Sequence, residues 1–143
     1  MAGITTDAYG HESPSNAGTL GTNLAAGAVS TTAVGTIVPT TAAGASPTVT
    51  SVSANDKAGS FVLSPVTGGG AQAAGAVAQV FFAQPYTAIP KSVVVNVCNN
   101  AAGSSGVGVA CSAQTVTTTG FTVNVAAALT TANTYYVTYQ VAP

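Results

Sequence analysis

Residues 115–141, TVTTTGFTVNVAAALTTANTYYVTYQV, decide the fold class. They hold two runs of apolar/polar alternation, one at Phe121, Val123 and Val125, the other at Tyr135, Val137, Tyr139 and Val141. Successive strand side chains point to opposite faces, so each run sets its large residues on one face of a sheet. Phe121, Val123, Tyr135, Val137 and Tyr139 are therefore expected to form a core face or a subunit-contact face. A sheet with one apolar face stacks on another, and the rest of the chain must supply that partner.

Working outward, the region from Thr48 carries short β runs with turn signals at the spacing of an all-β domain. Residues 48–53, 60–64 and 75–82 read as strands, with Asn55, Asp56 and Lys57 as a polar turn. Residues 91–98 contain VVVNV, dense enough in β-branched residues for a central strand. The segment NNAAGSSG at 99–106 reads as a hairpin tip, and the chain returns from Val107. No stretch sustains a helical period. The expectation is an all-β fold: an antiparallel β-sandwich of Greek-key or jelly-roll type with about seven strands, a small barrel being the second choice. Residues 1–47 show no consistent face and are punctuated by Pro14, Pro39 and Pro47. They read as an extended N-terminal arm, ordered by a partner's surface or left as a linker, ahead of a sandwich domain at 48–143.

The charge content excludes whole classes of function. Asp7, Glu12, Asp56, Lys57 and Lys91 are the only charged side chains, 3% of the chain, where soluble domains average about 25%. Two lysines cannot neutralise a phosphate track, so nucleic acid is not an expected partner. No window of about 18 residues is continuously apolar, so a membrane-spanning helix is not expected. No basic, compact apolar leader opens the sequence, and synthesis in the cytoplasm is expected. So little charge favours association over colloidal stability, and four Phe, five Tyr and no Trp make a thin core for a monomer. A homo-oligomer that buries further apolar surface is expected.

The parts for catalysis are missing. Asp7, His11 and Glu12 form the only cluster of ionisable residues, but Gly10 and Pro14 break the helix that a metal site would need. Neither catalytic residues, nor a metal site, nor a cofactor is expected. Gly68, Gly69 and Gly70 lack the Lys and Ser/Thr of a phosphate loop. Cys98 and Cys111 would face each other if the hairpin tip centred between Ser104 and Ser105, as a thiol pair or a disulfide; cytoplasmic synthesis favours the reduced thiols. Tyr135, Tyr136 and Tyr139 could form a stacking surface for a sugar, although two of them share the face assigned to the core.

Several segments in order resemble a β domain of tailed-phage virion proteins, found at tail-fibre tips and in capsid decoration or head-fibre proteins. They are Ala58-Gly59, Val80 to Phe82, Pro85-Tyr86, Pro90 and Val93, then TTTGFTV at 117–123 and TYYVTY at 134–139. The resemblance implies a trimeric sandwich displayed on the virion. A chain with one arm and one domain, without a shaft or repeats, suits a capsid decoration (cement) or head-fibre protein whose arm binds the major capsid protein. The alternative is a short tail-fibre or tail-tip receptor-binding protein that contacts host surface glycans. A secreted adhesin is a weaker third.

Overall fold

The computed structural model describes residues 34–65, 72–99, 107–130 and 133–143, with the backbone of two short strands near the N-terminus. Those two are β1 (Thr5–Thr6) and β2 (Glu12–Ser13), paired antiparallel with each other. The remaining strands are β3 (Thr36–Pro39), β4 (Thr48–Ala54), β5 (Ala58–Ser64), β6 (Gly75–Phe81), β7 (Ser92–Asn99), β8 (Val107–Val109), β9 (Cys111–Gln114), β10 (Gly120–Val125) and β11 (Tyr135–Ala142). They form a four-stranded sheet, β3-β6-β10-β9, and a five-stranded sheet, β4-β5-β11-β7-β8. Every pairing is antiparallel. The fold is an all-β sandwich.

The alternation that names the fold class also builds the interior. Along β11 buried and exposed residues alternate without a break, and β10 follows the same pattern from Phe121. Phe121, Val123, Tyr135, Val137 and Tyr139 all lie inside the single chain, at 2% exposure or less. They meet Phe61, Leu63, Val80 and Val97 from the neighbouring strands. Phe82, Phe121 and Tyr139 carry ring contacts across the gap, with Phe121 and Tyr139 edge-on at 5.3 Å. Such pairs add about 0.5–1.5 kcal/mol to their area burial.

Two close approaches explain glycines in the chain. Gly120, in TTTGFTV, lies against β6, where an added Cβ would overlap the Val80 carbonyl oxygen. Gly59 lies opposite Tyr139, and a Cβ there would strike Ala54 and the Tyr139 ring.

Two expectations are corrected. The sandwich begins before Thr48: β3 pairs with β6, Ile37 opposite Val80, and Ala43 in the following 3-10 turn is fully buried. A four-residue edge strand ending at Pro39 is too short to show a period, which is why it reads as arm. Residues 1–33 lie outside the described residues, apart from the backbone of β1 and β2. Among the described residues the two sheets hold nine strands, where about seven were expected. Much of the difference comes from the return after β7, which splits: β8 stays beside β7, and at Ala110 the chain passes to the other sheet as β9.

Candidate functional site

That split decides the cysteines. In the β7–β8 register Cys98 faces Gly108, and Cys111 faces Val125 of β10 in the other sheet. The expected cross-strand pairing of Cys98 with Cys111 is not formed, because the hairpin is not symmetric about Ser104 and Ser105. Both thiols are free. The Cys111 thiol points at the Val95 carbonyl oxygen, 3.5 Å away, and the Cys98 thiol lies 3.7 Å from Asn96 Oδ1. Asp7, His11 and the three glycines at 68–70 lie outside the described residues, as does the side chain of Glu12.

The polar turn between β4 and β5 is built from two kinds of side-chain contact. Asn55 Oδ1 accepts the backbone N–H groups of Lys57 and Ala58, both at 2.9 Å. This local loop of hydrogen bonds tightens the turn. Asp56 is turned fully inward. Its Oδ1 accepts the Ala83 N–H at 2.7 Å and its Oδ2 the Gln84 N–H at 3.0 Å. The Tyr86 hydroxyl donates to the Asp56 carbonyl oxygen at 2.8 Å, and the Tyr139 hydroxyl donates to the Asn55 carbonyl oxygen at 2.5 Å. The loop at 83–86, which follows β6, is thereby tied to the β4–β5 turn of the opposite sheet.

Burial raises the Tyr139 phenol well above its ordinary range, with the nearby negative charge of Asp56 and then Tyr86 as smaller causes. Burial likewise raises Tyr86, again with Asp56 second. A buried carboxylate between two phenols has the composition of an acid/base site, yet its donors and acceptors are directed at backbone groups. The corner is a clamp.

The candidate binding surface is the outer face of the five-stranded sheet. Because β11 lies in its middle, the residues that alternate with the core form a ladder across three strands. Tyr136 stands between Val62 and Cys98, Thr138 between Ser60 and Asn96, and Gln140 between Ala58 and Val94. Tyr136 is 48% exposed and Val94 61% exposed. Two shallow depressions lie along the ladder. One of about 270 Å³ is lined by Gly59, Asn96, Thr138 and Gln140, and one of about 330 Å³ by Lys57, Ser92, Gln140 and Ala142. They share Ala58, Val94 and Gln140, so they join into one trough. No carboxylate lines it, and Lys57 is its sole charged lining residue.

The outer face of the four-stranded sheet is a partial contrast. A depression of about 240 Å³ lies beside Ser112, Gln114 and Asn124, and Asn124 Oδ1 has no hydrogen-bond partner among the described residues, but its neighbours are engaged. There the Thr122 hydroxyl donates to the Gln114 carbonyl oxygen at 3.0 Å, and Gln114 Nε2 donates to Ser112 Oγ at 3.3 Å. Among the described residues, the side chains of Ser60, Thr138 and Gln140 have no such internal partner. Their groups are open to a ligand. Sequence reading raised three tyrosines as a stacking surface and assigned two of them to the core; Tyr135 and Tyr139 are in the core, and of the three Tyr136 alone faces out. The polar rungs at Thr138 and Gln140 were missed. The signal that finds them is the parity of the run that names the core.

Residues 77–140 match the family model of the H-type lectin domain. The matched span begins within β6 and ends at Gln140 in β11, covers less than half of the chain, and leaves out β3, β4 and β5. It contains Thr138, Gln140, Asn96 and Tyr136. Neither a curated protein nor a solved structure matches the chain.

Proposed function

We propose that this chain is a carbohydrate-binding β-sandwich and not an enzyme, and that the trough along β11 is where the sugar lies. The observation that carries the reading is the similarity of residues 77–140 to the H-type lectin domain, a span that contains the middle strand of the open ladder. The chemistry fits. A sugar presents hydroxyls on its edges and apolar C–H patches on its faces. Thr138, Gln140 and Asn96 offer hydrogen-bond donors and acceptors, and Tyr136 offers a half-exposed ring with a polar tip. Binding of this kind uses little charge, in keeping with the composition. Purified chain on an array of cell-surface oligosaccharides tests the reading. Wild type is expected to bind a subset, and the triple variant Tyr136→Ala, Thr138→Ala, Gln140→Ala is expected to lose at least about tenfold in affinity while still melting cooperatively as a folded chain. Equal binding by the variant overturns it.

A second reading concerns where the domain is displayed. The resemblance to tailed-phage virion proteins and the near absence of charge support a particle-borne protein: a trimeric capsid decoration or head-fibre protein held to the major capsid protein by its N-terminal arm. Many copies on one particle would raise weak sugar binding through avidity. A tail-tip location would use the same trough at low copy number. Since β3 belongs to the sandwich, the variant that tests the arm removes residues 1–33. It is expected to stay folded and to lose capsid binding, and wild-type binding by that variant overturns the arm model. Copy number per purified particle separates the locations: tens to hundreds for decoration, a few for a tail tip.

A further inference from the structure

The placement of positive charge in the chain makes the carbohydrate reading more specific. Lys57 and Lys91 are the only two cationic Lys/Arg side chains in 143 residues. Both belong to the same end of the five-stranded sheet. Lys57 lines the larger depression together with Ser92. Its backbone carbonyl oxygen accepts the Val141 N–H at 2.7 Å, which fixes the turn beside the end of β11. Lys91 immediately precedes Ser92, and Ser92 faces Ala142 on the other side of the same strand. Both lysines are exposed. The neighbouring acid, Asp56, faces the interior and is bonded to the Ala83 and Gln84 N–H groups. From this end the trough runs through Gln140 to Thr138 and Asn96, and the ladder continues to Tyr136 without another charge.

A neutral trough with Lys57 in its wall at one end, and Lys91 exposed one residue before the lining Ser92, suits a ligand of matching polarity. From Tyr136 to Ala142 the strand advances about 20 Å at ~3.4 Å per residue, room for a short run of sugar rings and not merely one. We infer that the trough takes a short glycan chain whose body is neutral and whose end carries a carboxylate, with the acidic end at Lys57 and Lys91 and the neutral rings over Gln140, Thr138 and Tyr136. This rests on the carbohydrate reading above and adds the class and direction of the ligand. A lysine paired with an exposed carboxylate contributes only modestly, so the acid selects among glycans that the neutral rungs already hold.

The test uses the full chain and two probes: an oligosaccharide ending in glucuronic acid, and the same oligosaccharide with that carboxyl reduced to the alcohol. At low salt the acidic probe is expected to bind on the order of three- to tenfold more tightly, the range of one or two exposed ion pairs. The preference is expected to vanish near ~0.5 M salt, where screening is short-ranged. Lys57→Gln with Lys91→Gln is expected to bind both probes alike, at the wild-type affinity for the reduced one. If wild type binds both equally at low salt, or the double variant keeps the preference, the inference is overturned while the carbohydrate reading stands. If neither probe nor any array glycan binds, the carbohydrate reading itself falls.

Discussion

The two faces of β11 are made from one run of eight residues and use their polar groups in opposite ways. On the inner face the Tyr139 hydroxyl donates to the Asn55 carbonyl oxygen and the Tyr135 hydroxyl accepts the Thr130 N–H at 2.7 Å. On the outer face Thr138 and Gln140 have no such commitment among the described residues. Inner polar groups hold the fold, because a buried one left unpaired costs about 1–3 kcal/mol. Outer ones cost nothing to leave open, since water serves them until a ligand replaces it. Strand parity thus separates stability from recognition one residue at a time, and each half of that statement can be attacked by substitution.

The largest effect is expected at the clamp. Asp56→Ala empties a fully buried site and leaves the Ala83 and Gln84 N–H groups without acceptors in a partly buried corner, at a cost of about 2–3 kcal/mol. Thermal melting should fall by about 10 °C; a shift under a few degrees would show that the corner is not a clamp. Gly120→Ala comes next, because its Cβ meets β6 backbone and not a side chain that can swing away. About 1–3 kcal/mol is expected from this overpacking, read by denaturant unfolding.

Tyr139→Phe should cost about 1 kcal/mol, and it also has a pH signature. The folded-state pKa of Tyr139 is raised, so folding favours the protonated phenol. The stability it contributes is fully present below about pH 10, the unfolded phenol value, and is lost as pH rises above that. Stability measured from pH 8 to 11 should therefore decline less steeply in Tyr139→Phe than in wild type. Smallest of all, Thr138→Ala and Gln140→Ala should each change stability by less than about 0.5 kcal/mol while weakening sugar binding. A large loss of stability from either would erase the distinction between the faces.

Much of the inner face was legible in the sequence, and little of its hydrogen bonding. Phe121, Val123, Tyr135, Val137 and Tyr139 announce themselves by alternation, a local property. Asp56 does not: Asn-Asp-Lys reads only as a polar turn, and the partners that hold its carboxylate, Ala83 and Gln84, lie far along the chain. β3 is too short to carry a period, and its pairing with β6 is a long-range event. The cysteine pairing failed for a related reason. A symmetric hairpin assumes one strand returning beside β7, whereas the chain changes sheets at Ala110, between Val109 and Cys111. The outer ladder was within reach, since Tyr136, Thr138 and Gln140 follow from the same parity. Which outer polar groups each sheet leaves open depends on neighbours that alternation does not name.

The most direct measurement is to map the bound sugar on the protein by amide chemical-shift changes during titration with an array-selected oligosaccharide. The account predicts that the largest changes fall on Ala58, Val94, Asn96, Thr138 and Gln140, with Ser112, Gln114 and Thr122 unmoved. Changes centred on Ser112, Gln114 and Thr122 would contradict it, and would move recognition to the opposite sheet.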